Sequence, residues 1–87
     1  MKIKNGFVIR EIAGECVVVA LGEASQVFNG IIKLNETGRI IWEMLANGSE
    51  KNEVVDAILN EYDVDRATVE ADFDRFIKTL QGANILE

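Results

Sequence analysis

The stretch Lys33-Leu34-Asn35-Glu36-Thr37-Gly38-Arg39-Ile40-Ile41-Trp42 reads as the end of a strand, a polar junction of one residue, and the first turns of an apolar helix. Asn35 suits the N-cap, because its side-chain oxygen can accept from a backbone N–H of the first turn. Glu36 places negative charge where the helix dipole favours it. Gly38 stands where Glu or Gln would complete a capping box, so the cap is half built. The rest of the chain is read outward from this switch of strand into helix.

Upstream, Phe7 to Ile12 and Cys16 to Leu21 are two β-rich runs separated by Ala13-Gly14-Glu15, which predicts a tight hairpin with Gly14 at positive φ. Both alternating faces of the second run are apolar, the pattern of a central strand. Gly22 to Gln26 reads as a loop, and Val27 to Leu34 as a third strand. In that strand Phe28, Ile32 and Leu34 share one face, and Asn29, Ile31 and Lys33 share the other.

Downstream, a first helix is predicted over Glu36 to Ala46, stopped by Asn47-Gly48. Its Ile40, Ile41, Trp42, Met44 and Leu45 cover an arc wide enough to place it in the middle of the fold. Ser49 is expected to cap a second helix, Glu50 to Glu61, with Val54, Val55, Ile58, Leu59 and Tyr62 on one side. Asp65 caps a third, Arg66 to about Gln81, whose apolar face is Val69, Phe73, Phe76, Ile77 and Leu80. Gly82 is the expected stop, after which Ile85-Leu86 fold back. The predicted order β-β-β-α-α-α over residues 1–87 is a single α+β domain, a three-stranded antiparallel sheet followed by three helices in a winged-helix-like arrangement.

Composition narrows the function. At 87 residues the chain is near the size where one core barely suffices, and 48% hydrophobic with 28% charged residues is ordinary for a folded domain. No apolar run approaches the roughly 20 residues that span a bilayer. The first residues lack a signal-peptide apolar core, so a cytoplasmic location away from membranes is expected. The one cysteine, Cys16, reads as a small buried hydrophobe. A net charge of −6 disfavours nucleic acid. The third helix also sets Arg66, Arg75 and Lys78 against Glu70, Asp72 and Asp74. The sequence has no histidine, so Ser-His or Cys-His nucleophile pairs and the usual zinc ligands are missing. No phosphate loop is present, and Asp63 and Asp65 read as turn and cap residues. No catalytic residue, metal or cofactor is therefore expected. A winged-helix DNA-binding regulator and a structural accessory subunit of an enzyme are the alternatives to a binding module.

Leu34-Asn35-Glu36-Thr37-Gly38 with Trp42, Gly48 before the second helix, Glu61-Tyr62-Asp63-Val64, and Asp72-Phe73 through Phe76-Ile77 to Leu80 recur in a familiar order. In joint order and spacing, from Phe7 to Leu86, the chain resembles the PqqD family of small peptide chaperones, also called RiPP recognition elements. The resemblance implies a binding module that captures the leader of a ribosomally made precursor peptide. It presents that leader to a modifying enzyme, in this branch a radical SAM/SPASM maturase carrying its own iron–sulfur chemistry. It further implies a monomer or a weak or domain-swapped homodimer, and a leader that adds to the free edge of the third strand beside the third helix.

A three-stranded sheet offers such an edge, where backbone groups give affinity and side-chain pockets give specificity. Carried onto this sequence, the edge is Phe28, Asn29, Gly30, Ile31, Ile32 and Lys33, with Gly30 permitting close approach and Ile31 an apolar contact. On the third helix Asp72, Phe76 and Thr79 form one line flanked by Arg75. Lys33, Arg75 and Lys78 can meet acidic leader residues. Phe76 is divided between core and groove; Phe73, Leu80, Leu34 and Trp42 are assigned to the core, and Asn35 and Thr37 to a structural cap.

Overall fold

The computed structural model describes residues 2–27 and 30–87. Its elements are β1 (Phe7–Ile12), β2 (Glu15–Ala20), α1 (Ala24–Val27), β3 (Ile32–Leu34), α2 (Glu36–Ala46), α3 (Lys51–Glu61) and α4 (Arg66–Gly82). The sheet is antiparallel in the order β1-β2-β3, so β2 is central, as its two apolar faces predict. Ala13 (φ 52) and Gly14 (φ 80) both take positive φ, the geometry of a two-residue type I′ turn. That turn sets Ile12 opposite Glu15 and fixes the register back to Phe7 opposite Ala20.

Strand alternation then sorts the sheet into two faces. Ile9, Val18 and Ile32 lie in one cross-strand row. With Phe7 and Leu34 they join the core built from Ile41, Trp42 and Leu45 of α2, Val54, Val55 and Ile58 of α3, and Val69, Phe73, Ile77 and Leu80 of α4. The helices therefore cover one face of the sheet. Leu34 and Cys16, expected in the core, are only half-buried. They face each other at the end of the inner face, where helical cover runs out.

The third strand is shorter than the sequence suggests. Residues 24–27 form one helical turn, and β3 begins only at Ile32. Gly22 at φ 58 turns the chain out of β2, and the Ser25 hydroxyl donates to the Gly22 carbonyl at 2.6 Å. The turn packs so closely on Gly6 (φ 94) that a Cβ there would lie 2.8 Å from Ala24 Cβ. Gly6→Ala is expected to cost about 2 kcal/mol, from positive φ and from the clash together. Urea unfolding checks this, and an unchanged midpoint would show that α1 is not held against Gly6.

Helix ends follow local chemistry. The Gly38 N–H donates to Asn35 Oδ1 at 2.8 Å, and the Thr37 hydroxyl donates to the same oxygen at 3.1 Å. A Cβ at position 38 would approach that oxygen to 3.1 Å, so glycine leaves room for the cap. α2 closes in a Schellman motif: Ser49 N–H donates to the Met44 carbonyl at 2.9 Å and Gly48 N–H to Leu45 at 3.0 Å, with Gly48 at φ 86. The second helix starts one residue later than predicted, with Glu50 rather than Ser49 at the N-cap. The Glu50 N–H donates to Glu53 Oε1 at 2.9 Å, one arm of a capping box.

Asp65 stands at the N-cap of α4, where its carboxylate accepts from the Thr68 hydroxyl at 2.6 Å. That bond holds its pKa below the usual carboxylate range. A depressed folded-state pKa contributes stability above the unfolded value, about 4, and loses it as pH falls through the folded value. Thr68→Val is thus expected to lower stability at pH 7, with the deficit closing as pH falls through the lowered carboxylate pKa of Asp65. Melts across that range test it; a deficit independent of pH would exclude the hydrogen bond as its source.

α4 ends at Gly82 as expected, but the left-handed residue that closes it is Asn84 at φ 60, with Ile85 N–H donating to the Leu80 carbonyl at 2.9 Å. Asn can take this conformation at modest cost. The tail folds back as expected: Ile85 is fully buried, Leu86 is buried, and Ile3 pairs with Leu86 in an antiparallel bridge.

Candidate functional site

Hydrogen-bond phase decides what the sheet offers at its edges. The Leu21 N–H donates to the Gly6 carbonyl at 2.7 Å, so odd-numbered residues of β2 face β1 with their main chain and even-numbered ones face β3. Given the pairs Cys16–Leu34 and Val18–Ile32, Leu34 and Ile32 bond to β2. The Lys33 N–H and C=O then point out of the sheet. Ile31 directly precedes the strand, at the position where the same alternation, carried one step further by an added strand, would use its main chain. Among the described residues, no strand pairs with this edge.

The edge opens into a groove of about 750 Å³. Ile32, Lys33 and Leu34 of β3 line it with Phe76 and Thr79 of α4, and the hairpin end at Glu15 and Cys16 and the start of α2 complete it. Phe76 is half-buried and packs on the core while lining the groove, so it takes both of its possible roles. The groove thus combines a row of backbone hydrogen-bonding groups with the half-buried apolar side chains Ile32, Leu34 and Phe76.

Its charges are already compensated within the chain. Lys33 Nζ lies 3.2 Å from Glu15 Oε2, and Arg39 Nε donates to Glu43 Oε1 at 3.0 Å. The Glu43 hydrogen bond, followed by its charge, raises the Arg39 pKa. Arg75 pairs with Asp72 on the same helix. Such exposed pairs are individually weak, so an incoming charge can exchange with either partner at little cost.

The sequence-predicted site is partly assembled. Ile32, Lys33, Phe76 and Thr79 share the groove, and Asp72, Arg75, Phe76 and Thr79 share an adjoining depression with Asn35 and Thr37. Gly30 and Ile31 are exposed just before β3 rather than within it, and Ile31 is 62% exposed. Phe28 and Asn29 lie outside the described residues. Lys78 is exposed and does not line the groove. Sequence reasoning missed Glu15, Cys16, Glu36 and Arg39. The hairpin register was the signal that could have found the first two, because it sets Cys16 opposite Leu34. Asn35 and Thr37 form the cap as expected, yet Asn35 also lines the groove and both line the adjoining depression.

The open strand edge over an apolar groove suits binding, and the neighbouring carboxylates do not converge. Glu70, Asp72 and Asp74 pair separately with Arg66, Arg75 and Lys51. No cluster of potential metal ligands occurs among the described residues. None of the described helices is long and apolar enough to cross a membrane.

Comparison with protein-family models matches residues 15–86 to the family described as coenzyme PQQ synthesis protein D (PqqD). Among solved structures, TbiB1 in complex with the TbiA(β) leader peptide is similar, with a TM-score of 0.80 and 37% identity over 100% of this chain and 95% of that one. Lasso peptide synthetase B1 complexed with the leader peptide matches with a TM-score of 0.79 over 99% of this chain and 95% of that one, at 19% identity, a likeness of fold. A search of curated proteins finds no match.

Proposed function

Because the chain belongs to the PqqD family, we propose that residues 1–87 form one non-catalytic domain that captures a precursor's leader peptide and presents it to a modifying enzyme. The leader adds as a strand to β3. The observation that carries this reading is the coincidence of two features: the outward-facing main chain of Lys33 in β3, and the apolar groove between β3 and α4 into which it opens. Backbone pairing supplies affinity that is indifferent to sequence, and the side chains of the groove supply selection. The solved complex of the 37%-identical TbiB1 with a leader peptide supports the same reading.

The proposed contacts are Ile31, Ile32, Lys33, Asp72, Arg75, Phe76 and Thr79, with Phe28, Asn29 and Gly30 preceding them along the chain. Because Lys33 and Arg75 already have acidic partners, acidic leader residues gain only by exchange, and affinity is expected to depend weakly on salt. The same pairing weakens the DNA-binding alternative: Arg66 of α4 meets Asp56 and Glu70, leaving little positive potential for phosphates.

Titration of the labelled chain with the TbiA(β) leader peptide, followed by NMR, tests the site. Shifts are expected at residues 31–34 and along Asp72 to Thr79. Shifts confined to β1 and α2 would place the peptide on the other edge of the sheet and end this proposal. The family resemblance favours a radical SAM/SPASM maturase as the enzyme partner. Co-purification of the tagged chain, with the captured enzyme identified, tests it.

A further inference from the structure

We propose that the groove continues along α4 into a small pocket between α2, α3 and α4, which the bound peptide fills with a branched aliphatic side chain. This extension rests on the peptide-binding reading above.

Three cavities run end to end. The groove shares Asn35, Gly38, Phe76 and Thr79 with a depression of about 240 Å³. That depression shares Thr37, Ile41 and Asp72 with a pocket of about 80 Å³, completed by Ile58, Tyr62, Val64, Thr68 and Val69. A peptide leaving the β3 edge toward Asn35 therefore has a continuous path to the pocket.

Volume and chemistry define the guest. The pocket has about half the roughly 150 Å³ of an apolar cavity that holds benzene, enough for the three or four carbons of Val, Leu or Ile. Its polar side chains are already engaged: the Thr37 hydroxyl donates to Asn35, the Thr68 hydroxyl donates to Asp65, and Asp72 pairs with Arg75. The Glu36 carboxylate near Tyr62 favours the neutral phenol and raises its pKa. A polar guest would leave its own groups without partners, while an aliphatic guest loses nothing and buries Ile41, Ile58 and Val69 further. Val64, 44% exposed at the rim, gains cover from the same guest.

Spacing follows from helix geometry. Thr79 and Thr68 stand eleven positions apart on α4, about 16 Å at about 1.5 Å per residue. An extended peptide covers about 3.3 Å per residue, so the aliphatic residue lies about five residues from the strand-paired segment.

Selection of random 16-residue peptides displayed on phage, against the full chain and three variants, tests the pocket. Against the unmodified chain, enriched peptides are expected to combine an extended segment with Val, Leu or Ile about five residues away. Val64→Trp closes the rim and Thr68→Leu fills the pocket, both from exposed positions. Each should erase the aliphatic preference, weaken the selected peptides about tenfold, and leave selection of the extended segment intact. An undiminished preference in both variants, or none with the unmodified chain, overturns the pocket while the groove stands. Peptides indifferent to Ile31→Pro, or no enrichment at all, overturn the groove reading and the pocket with it.

Discussion

Ile31→Pro is expected to weaken leader binding by roughly 10- to 100-fold while leaving the fold intact. Proline has no N–H, and its ring fills space beside the chain where a neighbouring strand must approach. The carbonyl of the incoming peptide then lacks its donor in a partly desolvated groove, a loss of about 1–3 kcal/mol, hence that range. Ile31 is 62% exposed and precedes the paired residues of β3. The stability change should therefore stay within about 0.5 kcal/mol, as at other surface positions. Anisotropy with labelled TbiA(β) leader peptide measures the first effect and thermal melting the second. Glu11→Pro is the matched control, because the same hydrogen-bond phase points the Glu11 main chain out of the opposite edge, where an edge proline is tolerated. It should leave affinity unchanged. Unchanged affinity in Ile31→Pro would eliminate strand addition along β3.

Removing Ile85, Leu86 and Glu87 is expected to cost about 3–6 kcal/mol, from two buried side chains at about 1.5–3 kcal/mol each. Ile85 is fully buried against the core, and Leu86 is 9% exposed. The same cut removes the Lys4 N–H bond to the Ile85 carbonyl and the Glu87 N–H bond to the Lys2 carbonyl, each 2.8 Å. A domain of this size has about 5–15 kcal/mol in total. The truncated chain should melt far below the full chain or lose its cooperative transition in near-ultraviolet circular dichroism. A melting temperature within a few degrees of the full chain would show that the tail is an ornament to the core.

What the sequence revealed depended on how local each determinant was. The hairpin, the Asn35 cap and the Gly48 stop are settled within a few residues, so their chemistry is written in the sequence. The apolar faces of α2, α3 and α4 follow helical spacing and pack where that spacing points. The failures are all tertiary. Val27 to Leu34 has strand-like composition, but Ala24–Val27 coils into a turn because Gly6, far back in the chain, opens a seat for Ala24. Gly82 is the last helical residue, as its type suggests, yet the left-handed turn falls at Asn84, where burying Ile85 and Leu86 requires it. In the site, alternation identified Lys33 as a residue of the edge. The contributions of Glu15, Cys16 and Arg39 needed the register of one strand on another, and the existing partners of Lys33 and Arg75 needed side-chain positions.

The bridge between Ile3 and Leu86 has a consequence for how such a domain can be deployed. Entry and exit of the chain lie side by side, like the two pins of a plug. A module built this way can be set into a surface loop of a larger enzyme, or repeated in tandem, with connectors of a few residues and without threading across the molecule. Portability between separate and fused forms is then a property of the ladder that joins the two termini, acquired without altering one residue of the groove.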